Sequence, residues 1–356
     1  MYALVSRRMT IGLALLVVLA LSLTLSSVTH LAVHATPART PITLSKVTGP
    51  PTTTVTVNGT GFGSSETVIT TFDTTTKVGT TTTSSMGSFS FGITIPATAL
   101  PGSHSIQATG RRSGLTASRT FLVNTNWSQF SYDHAHGRTN PYENVLSRTN
   151  VSHLTLDWRY TTGDVIGSSP AVVNGVVYLG SDDQNMYALD AKTGTNLWSS
   201  PTGSSIGSSP AVVNGVVYLG SSDRNVYALD AKTGTRLWSY PTGNDIFSSP
   251  AVAQGVVYLG SYDHKVYALD AKTGIRLWSY PTGNDIFSSP AVANGVVYLG
   301  SSDRKVYALD AKTGARLWSY RTGNDIFSSP AVVNGMVYLG SANGNMYAFH
   351  LPGTQS

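Results

Sequence analysis

Residues 208–240, 248–280 and 288–320 are nearly one sequence written three times, SSPAVxxGVVYLGSxDxxVYALDAKTGxRLWSY, at a period of 40 residues. A fixed period of this length means one supersecondary unit stacked on its own copies, since a lone unit of that size cannot bury its apolar face. Each unit divides into four short runs. In one copy, residues 247–252 lead through Gly255 to 256–260. A polar turn, Tyr262-Asp263-His264, leads to 266–270, and Ala271-Lys272-Thr273-Gly274 leads to 276–280. The runs are rich in Val and Tyr and too short for paired helices. Four strands per 40 residues is the size of a propeller blade, so the expected fold is all-β.

The ends of the array complement each other. Outer strands carry Trp158, Trp198, Trp238, Trp278 and Trp318, and inner sets carry Ser168, Ser208, Ser248, Ser288 and Ser328. The array opens on an outer strand, Leu156-Asp157-Trp158-Arg159-Tyr160, with no inner strands before it. It closes on Tyr347-Ala348-Phe349-His350, with no Trp after it. The expectation is a five-bladed ring closed by the N-terminal strand, which would leave no sheet edge exposed. The alternative is an open fragment of a seven- or eight-bladed ring completed by a second chain.

The pattern Ala-x-Asp-x-x-Thr-Gly-x-x-x-Trp stands at Ala188, Asp190, Thr193, Gly194 and Trp198, and recurs at 228–238, 268–278 and 308–318. It resembles the tryptophan-docking pattern of the pyrroloquinoline quinone (PQQ) enzyme repeat, and the resemblance spans residues 126–350. It implies that Trp158, Trp198, Trp238, Trp278 and Trp318 dock between neighbouring blades. Asp190, Asp230, Asp270 and Asp310 then cap the turn before each Trp. In the quinone-dependent alcohol dehydrogenases of this kind, the cofactor site uses adjacent cysteines, a calcium held by acidic and amide side chains, and an Asp base. This chain has no Cys, and its glutamates, Glu66 and Glu143, lie outside the repeats. The recurring Asp residues are equivalent copies, whereas a general base needs one solitary perturbed position. No catalytic residue, metal or PQQ cofactor is expected.

Ahead of the repeats, Arg7 and Arg8 precede an apolar run from Ile11 to Leu25, and Val33-His34-Ala35 offers a small-x-small cleavage site. This is a secretory signal over residues 1–35; left uncleaved, it would anchor the chain outside the cytoplasmic membrane. Residues 36–124 are rich in Thr and Ser, with short alternating runs separated by Asn58-Gly59, Met86-Gly87 and Pro101-Gly102. Such punctuation suggests a β-sandwich, and VNGTGFGSSETV resembles bacterial Ig-like domains of the IPT/TIG kind. Residues 125–153 read as a linker, 154–350 as the propeller and 351–356 as a tail. His134 and His136 in the linker could share a metal, but with no third ligand they read as linker residues. The formal charge of +5 is too weak and scattered for nucleic acid.

Specificity is left to the loops where the copies differ, on one face of the ring. The candidates are Asp164, Asn244, Asp245, Tyr262, His264, Asn284, Asp285, Asn324 and Asp325. Turn chemistry alone also accounts for Asn, Asp and Gly there. The reading is a secreted or cell-envelope, non-catalytic scaffold that binds an envelope or extracellular protein. A multivalent lectin is the alternative, with a polysaccharide held in grooves beside Tyr240, Tyr280 and Tyr320. A relative of the PQQ-dependent dehydrogenases is the third reading.

Overall fold

The computed structural model describes residues 41–133, 135–136 and 140–351. The secretory segment at 1–35, His134 and the tail at 352–356 lie outside the described residues.

Residues 42–123 form two sheets. In one, Thr54–Gly59 lies between Ile42–Leu44 and Phe89–Thr94; the other has five strands ordered Thr48–Gly49, Thr116–Val123, Gly102–Gly110, Thr67–Phe72 and Thr76–Thr82. Alternation sets the faces: Val55 and Val57 are buried while Thr54 and Asn58 are exposed. Val55, Val57, Val68, Phe72, Ile93, Ile106 and Phe121 share one core. Glu66 is a buried charge in this module, at 1% exposure. It accepts hydrogen bonds from the Gly63, Arg112 and Ser113 N–H groups and from the Ser113 hydroxyl. The Ser113 hydroxyl leads the set that holds its pKa near 2 against the cost of burial.

The repeats form antiparallel sheets: residues 171–201 (blade 1), 211–241 (blade 2), 251–281 (blade 3) and 291–321 (blade 4), each of four strands, and 331–350 (blade 5), of three. The third strand of blade 2, Asn225–Asp230, has four buried residues in a row because neighbouring blades cover both its faces. The outermost strand, Arg236–Pro241, is mostly exposed.

Three contacts join one blade to the next. Trp198 of blade 1 lies on Gly234 of blade 2, where φ is +71° and a Cβ would stand 2.7 Å from the indole. Its Nε1–H donates to Ala231 O at 3.0 Å, and the Tyr178 hydroxyl donates to the same carbonyl at 3.0 Å. Trp238 and Trp278 donate likewise to Ala271 and Ala311. Ile246 fills the space above Gly220, where a Cβ would lie 2.2 Å from its Cγ2. Serine hydroxyls complete the joint: the Ser169, Ser209, Ser249 and Ser289 N–H groups each donate to the Oγ of the serine 40 residues on. The Ser-Ser-Pro repeat is thus a blade-to-blade clasp.

The linker runs along the axis. Trp127 exchanges two 2.7 Å backbone hydrogen bonds with Val172, Ser128 O accepts from Val212 N, and Ala135 O accepts from Val332 N. Gln129 does the same with its side chain: Oε1 accepts from Val252 N at 2.8 Å and Nε2 donates back to Val252 O. His136, 4% exposed, hydrogen bonds Pro330 O through Nδ1 and packs edge-on against Phe130. The innermost strand of a blade has one free edge, and its N–H groups need acceptors once water is excluded. This segment supplies them to blades 1, 2, 3 and 5.

Closure by the N-terminal strand is where the structure departs from expectation. Residues 154–160 form no strand, and Met346–His350 pairs with Met336–Gly340 alone among the described residues. Trp158 is instead held at the start of the array, its Nε1–H on Ala191 O at 3.0 Å. The isoleucine contact made between the other blades is not made between blades 5 and 1: Ile166 is 46% exposed and only Ser328 atoms lie near the missing Cβ of Gly340.

Candidate functional site

The loop candidates separate by what their side chains already do. Asp183, Asp223 and Asp263 each accept from a Gly N–H of the preceding loop and from a Tyr hydroxyl four residues on, Tyr187 at 2.7 Å in the first case. Burial opposes the charge of Asp183 and Asp223, but these hydrogen bonds outweigh it and hold both carboxyls below their usual range. Burial, then the bond to Asp183, pushes the Tyr187 phenol up to about 12. These acids are therefore spent on the turns. Asn244, Asn284 and Asn324 each accept the N–H of the following Asp, and Asp164 that of Val165. These are local turns. Asp190, Asp230, Asp270 and Asp310 each take the hydroxyl and N–H of a Thr three residues on. The Thr193 hydroxyl leads the bonds that lower the Asp190 pKa. One such cap sits in each of blades 1 to 4, so they do not converge.

Blade 3 is different. It carries Tyr262 and His264 where blade 4 has Ser302 and Arg304. The Tyr262 ring sits between Phe247 at 4.9 Å and Phe287 at 4.3 Å, and Phe327 meets Phe287 edge-on at 5.2 Å. His264 Nε2 pairs with Asp285 Oδ1 of the next loop at 3.0 Å. Burial raises the Tyr262 pKa, and the charges of Asp285 and Asp245 add to the effect, so its hydroxyl stays a neutral donor. The structure thus brings Asp245, Tyr262, His264 and Asp285 together, with Asn324 and Asp325 on the adjoining Phe327 loop; Asp164 makes no contact with them. Ser302, at the Tyr262 position of blade 4, is buried with its hydroxyl unpaired among the described residues.

Phe247, Phe287 and Phe327 were not singled out in the sequence, although Gly167 and Gly207 at the same repeat position were signal enough. Phe247 and Phe327 are 38% and 50% exposed, and with Tyr262 they make an apolar row across the loops of blades 3 to 5. Tyr240, Tyr280 and Tyr320 lie elsewhere, packed on Tyr267, Tyr307 and Tyr347.

Sheet order, blade joints and this face can be set beside known proteins. A family profile described as "Outer membrane protein assembly factor BamB" matches residues 105–247 and 243–355. The chain belongs to this family. The crystal structure of BamB from Moraxella catarrhalis superposes with a TM-score of 0.50 at 25% identity, over 55% of this chain and 61% of that one. A quinohemoprotein alcohol dehydrogenase from Pseudomonas putida HK5 gives 0.53 at 22% identity, over 64% and 48%, a likeness of fold alone. The dehydrogenase subunit of the quinone alcohol dehydrogenase of Gluconobacter oxydans is 35% identical over 75 residues, 20% of this chain and 10% of its own length. Lupanine 17-hydroxylase from a Pseudomonas species is 39% identical over 56 residues, 15% and 8%. The chain spans about a tenth of the curated relatives it matches and less than two thirds of these solved chains. The fold is therefore a β-propeller of PQQ-type repeats.

The residues present do not fit a quinone and its calcium. There is no Cys, Trp127, Ser128, Gln129 and Ala135 bond the inner blade edges, and the recurring carboxylates are engaged with N–H and hydroxyl donors. Among the described residues no three His, Asp or Glu side chains gather into a metal-binding group.

Proposed function

We propose that this chain is a non-catalytic, protein-binding propeller of the cell envelope that takes its partner on the loop face of blades 3 to 5. One observation carries the reading: an aromatic row in which Phe247 and Phe327 are exposed and Tyr262 and Phe287 are half-buried between them. Aromatic side chains rimmed by polar loops are what protein interfaces use as anchors. Gly167 and Gly207 hold the phenylalanine position ahead of blades 1 and 2, so the blade joint itself does not call for an aromatic there. Membership of a family described as an outer membrane protein assembly factor supports a partner in the envelope. The same reading takes residues 1–35 as a secretory signal, and 36–124 as an Ig-like module that spaces the propeller from its neighbours. A dehydrogenase reading has only the short stretches shared with the quinone enzymes. A lectin reading loses its grooves, because Tyr240, Tyr280 and Tyr320 are packed on other rings.

The test compares the chain with a Phe247→Ser, Phe287→Ser, Phe327→Ser variant, both immobilised and exposed to envelope extract. The expected result is loss of the retained proteins by roughly thirtyfold, as for hot-spot residues worth about 2 kcal/mol, with an unchanged melting temperature. Equal retention by the two proteins would overturn the assignment. Dye reduction by the chain supplied with PQQ, calcium and an alcohol would restore the enzyme reading.

A further inference from the structure

Ser302 is a buried hydroxyl with nothing to bond, and the repeat shows what its surroundings hold when they are full. In blade 3 the Tyr262 ring lies between Phe247 and Phe287, at 4.9 and 4.3 Å. The two phenylalanine rings stand 6.3 Å apart and near parallel, at 21°. Blade 4 repeats the frame. Ser302 N–H donates to Asp285 O at 2.9 Å, as Tyr262 N–H donates to Asp245 O at 3.0 Å, and Phe287 and Phe327 take the flanking positions. The ring between them is missing, and Phe327 stands edge-on to Phe287 instead, at 88° and 5.2 Å. Blade 2 shows that the phenylalanines do the covering. Ser222, at the same position with Gly207 on one side and Phe247 on the other, is half-buried; Ser302, with phenylalanine on both sides, is 6% exposed. The Ser302 hydroxyl has no partner among the described residues, and a buried hydroxyl left unpaired is a net cost to the fold. Phe327 is half exposed, and Phe287 is its one ring contact among the described residues, so it can turn outward without disturbing the blade core.

We infer that the slot between Phe287 and Phe327 takes a tyrosine side chain of the protein partner, whose phenol bonds Ser302 Oγ; this rests on the loop-face reading above and names the anchor that the face receives. The incoming ring takes the place that Tyr262 fills from within in blade 3. It enters from the solvent side, hydroxyl first, as Phe327 turns out. The walls call for an aromatic ring and the floor for a polar tip, and tyrosine supplies both at little cost in side-chain freedom. Phenylalanine fits the walls but leaves Ser302 unpaired, and a site that holds a buried polar group discriminates against the ligand lacking its counterpart. Rigid aromatic side chains seated in desolvated pockets are what protein interfaces use as hot spots.

The probes are N-acetyltyrosinamide and N-acetylphenylalaninamide, titrated into the full-length chain and followed by NMR at the amides of residue 302 and Phe327. The tyrosine probe should shift both amides with a dissociation constant on the order of a millimolar, the reach of a ligand this small. The phenylalanine probe should bind roughly tenfold more weakly, the share of one hydrogen bond. Ser302→Ala should make the two probes equal. Ser302→Tyr copies blade 3, whose frame already holds a tyrosine, so the chain should fold as before while the slot is filled and the shifts are lost. Equal response to the two probes in the unmodified chain would overturn the inference. So would shifts that persist in Ser302→Tyr, or no shift up to about 10 mM of the tyrosine probe. In envelope extract, retention lost in the triple phenylalanine variant but untouched by Ser302→Tyr would keep the face and remove the slot as its anchor. Equal retention by the triple variant would overturn the partner reading, and tyrosine-probe binding on the isolated chain would still stand.

Discussion

Trp278 and Trp318 hold the same repeat position in different surroundings, and their difference measures what a blade joint is worth. Trp278 is 8% exposed and donates to Ala311 O; Trp318 is 39% exposed, packs on Phe349, and has no acceptor among the described residues. Trp278→Ala should cost about 3 kcal/mol or more in urea unfolding, the usual penalty for a buried large aromatic, and Trp318→Ala about 1 kcal/mol. Equal costs would mean that the joint does not hold the blades. Asn343 makes a natural comparison with Asp183. Its Nδ2 donates to Thr322 O and the Tyr347 hydroxyl, reversing the direction of the bond to tyrosine, and Gly323 moves to a φ of +98°. In the sandwich, Glu66 is the residue to titrate. Its folded pKa, about 2, lies below the ordinary carboxyl value of 4.5. It therefore stabilises the fold fully above about pH 4.5, and that contribution is lost as pH falls through the folded value. Melting temperature should drop between these limits, and less steeply in Glu66→Gln, which starts lower; parallel slopes would show that other carboxylates dominate.

At the scale of the element, legibility followed repetition. The four strands of each blade could be read from the period because every copy votes for the same alternation. So could the turn caps at Asp190, Asp230, Asp270 and Asp310, whose partners lie three residues away. The serine clasp could not, because the partner of Ser209 stands 40 residues on, at Ser249, and spacing alone does not show which way a hydroxyl turns. The axial segment was illegible for the opposite reason: it occurs once, and its bonds are to backbone groups that leave no mark in sequence. The loop face was half visible, since variation exposed Tyr262 and His264 while Phe247, Phe287 and Phe327 passed as part of the repeat. Ser249→Ala strands the buried Ser209 N–H and should cost about 1 to 3 kcal/mol, read by thermal unfolding. A neutral result would remove the clasp from the list of what joins the blades.

The repeat region is five sheets gathered about an earlier segment of the same chain. That arrangement ties the functional reading to the fold: the chain's own residues bond the inner blade edges, and the loops where the copies differ are the part of the ring free to specialise. Ile166 and Met346, at the two ends of the array, are exposed where their repeat equivalents are buried. The axial segment is thus the claim on which the rest depends, and amide hydrogen exchange addresses it residue by residue. The N–H groups of Val172, Val212, Val252 and Val332 should exchange slowly, since they donate to Trp127, Ser128, Gln129 and Ala135 respectively. Gln129→Ala should release Val252 alone, by at least about tenfold, with the other three unchanged. Fast exchange at all four in the unmodified chain would contradict a filled axis.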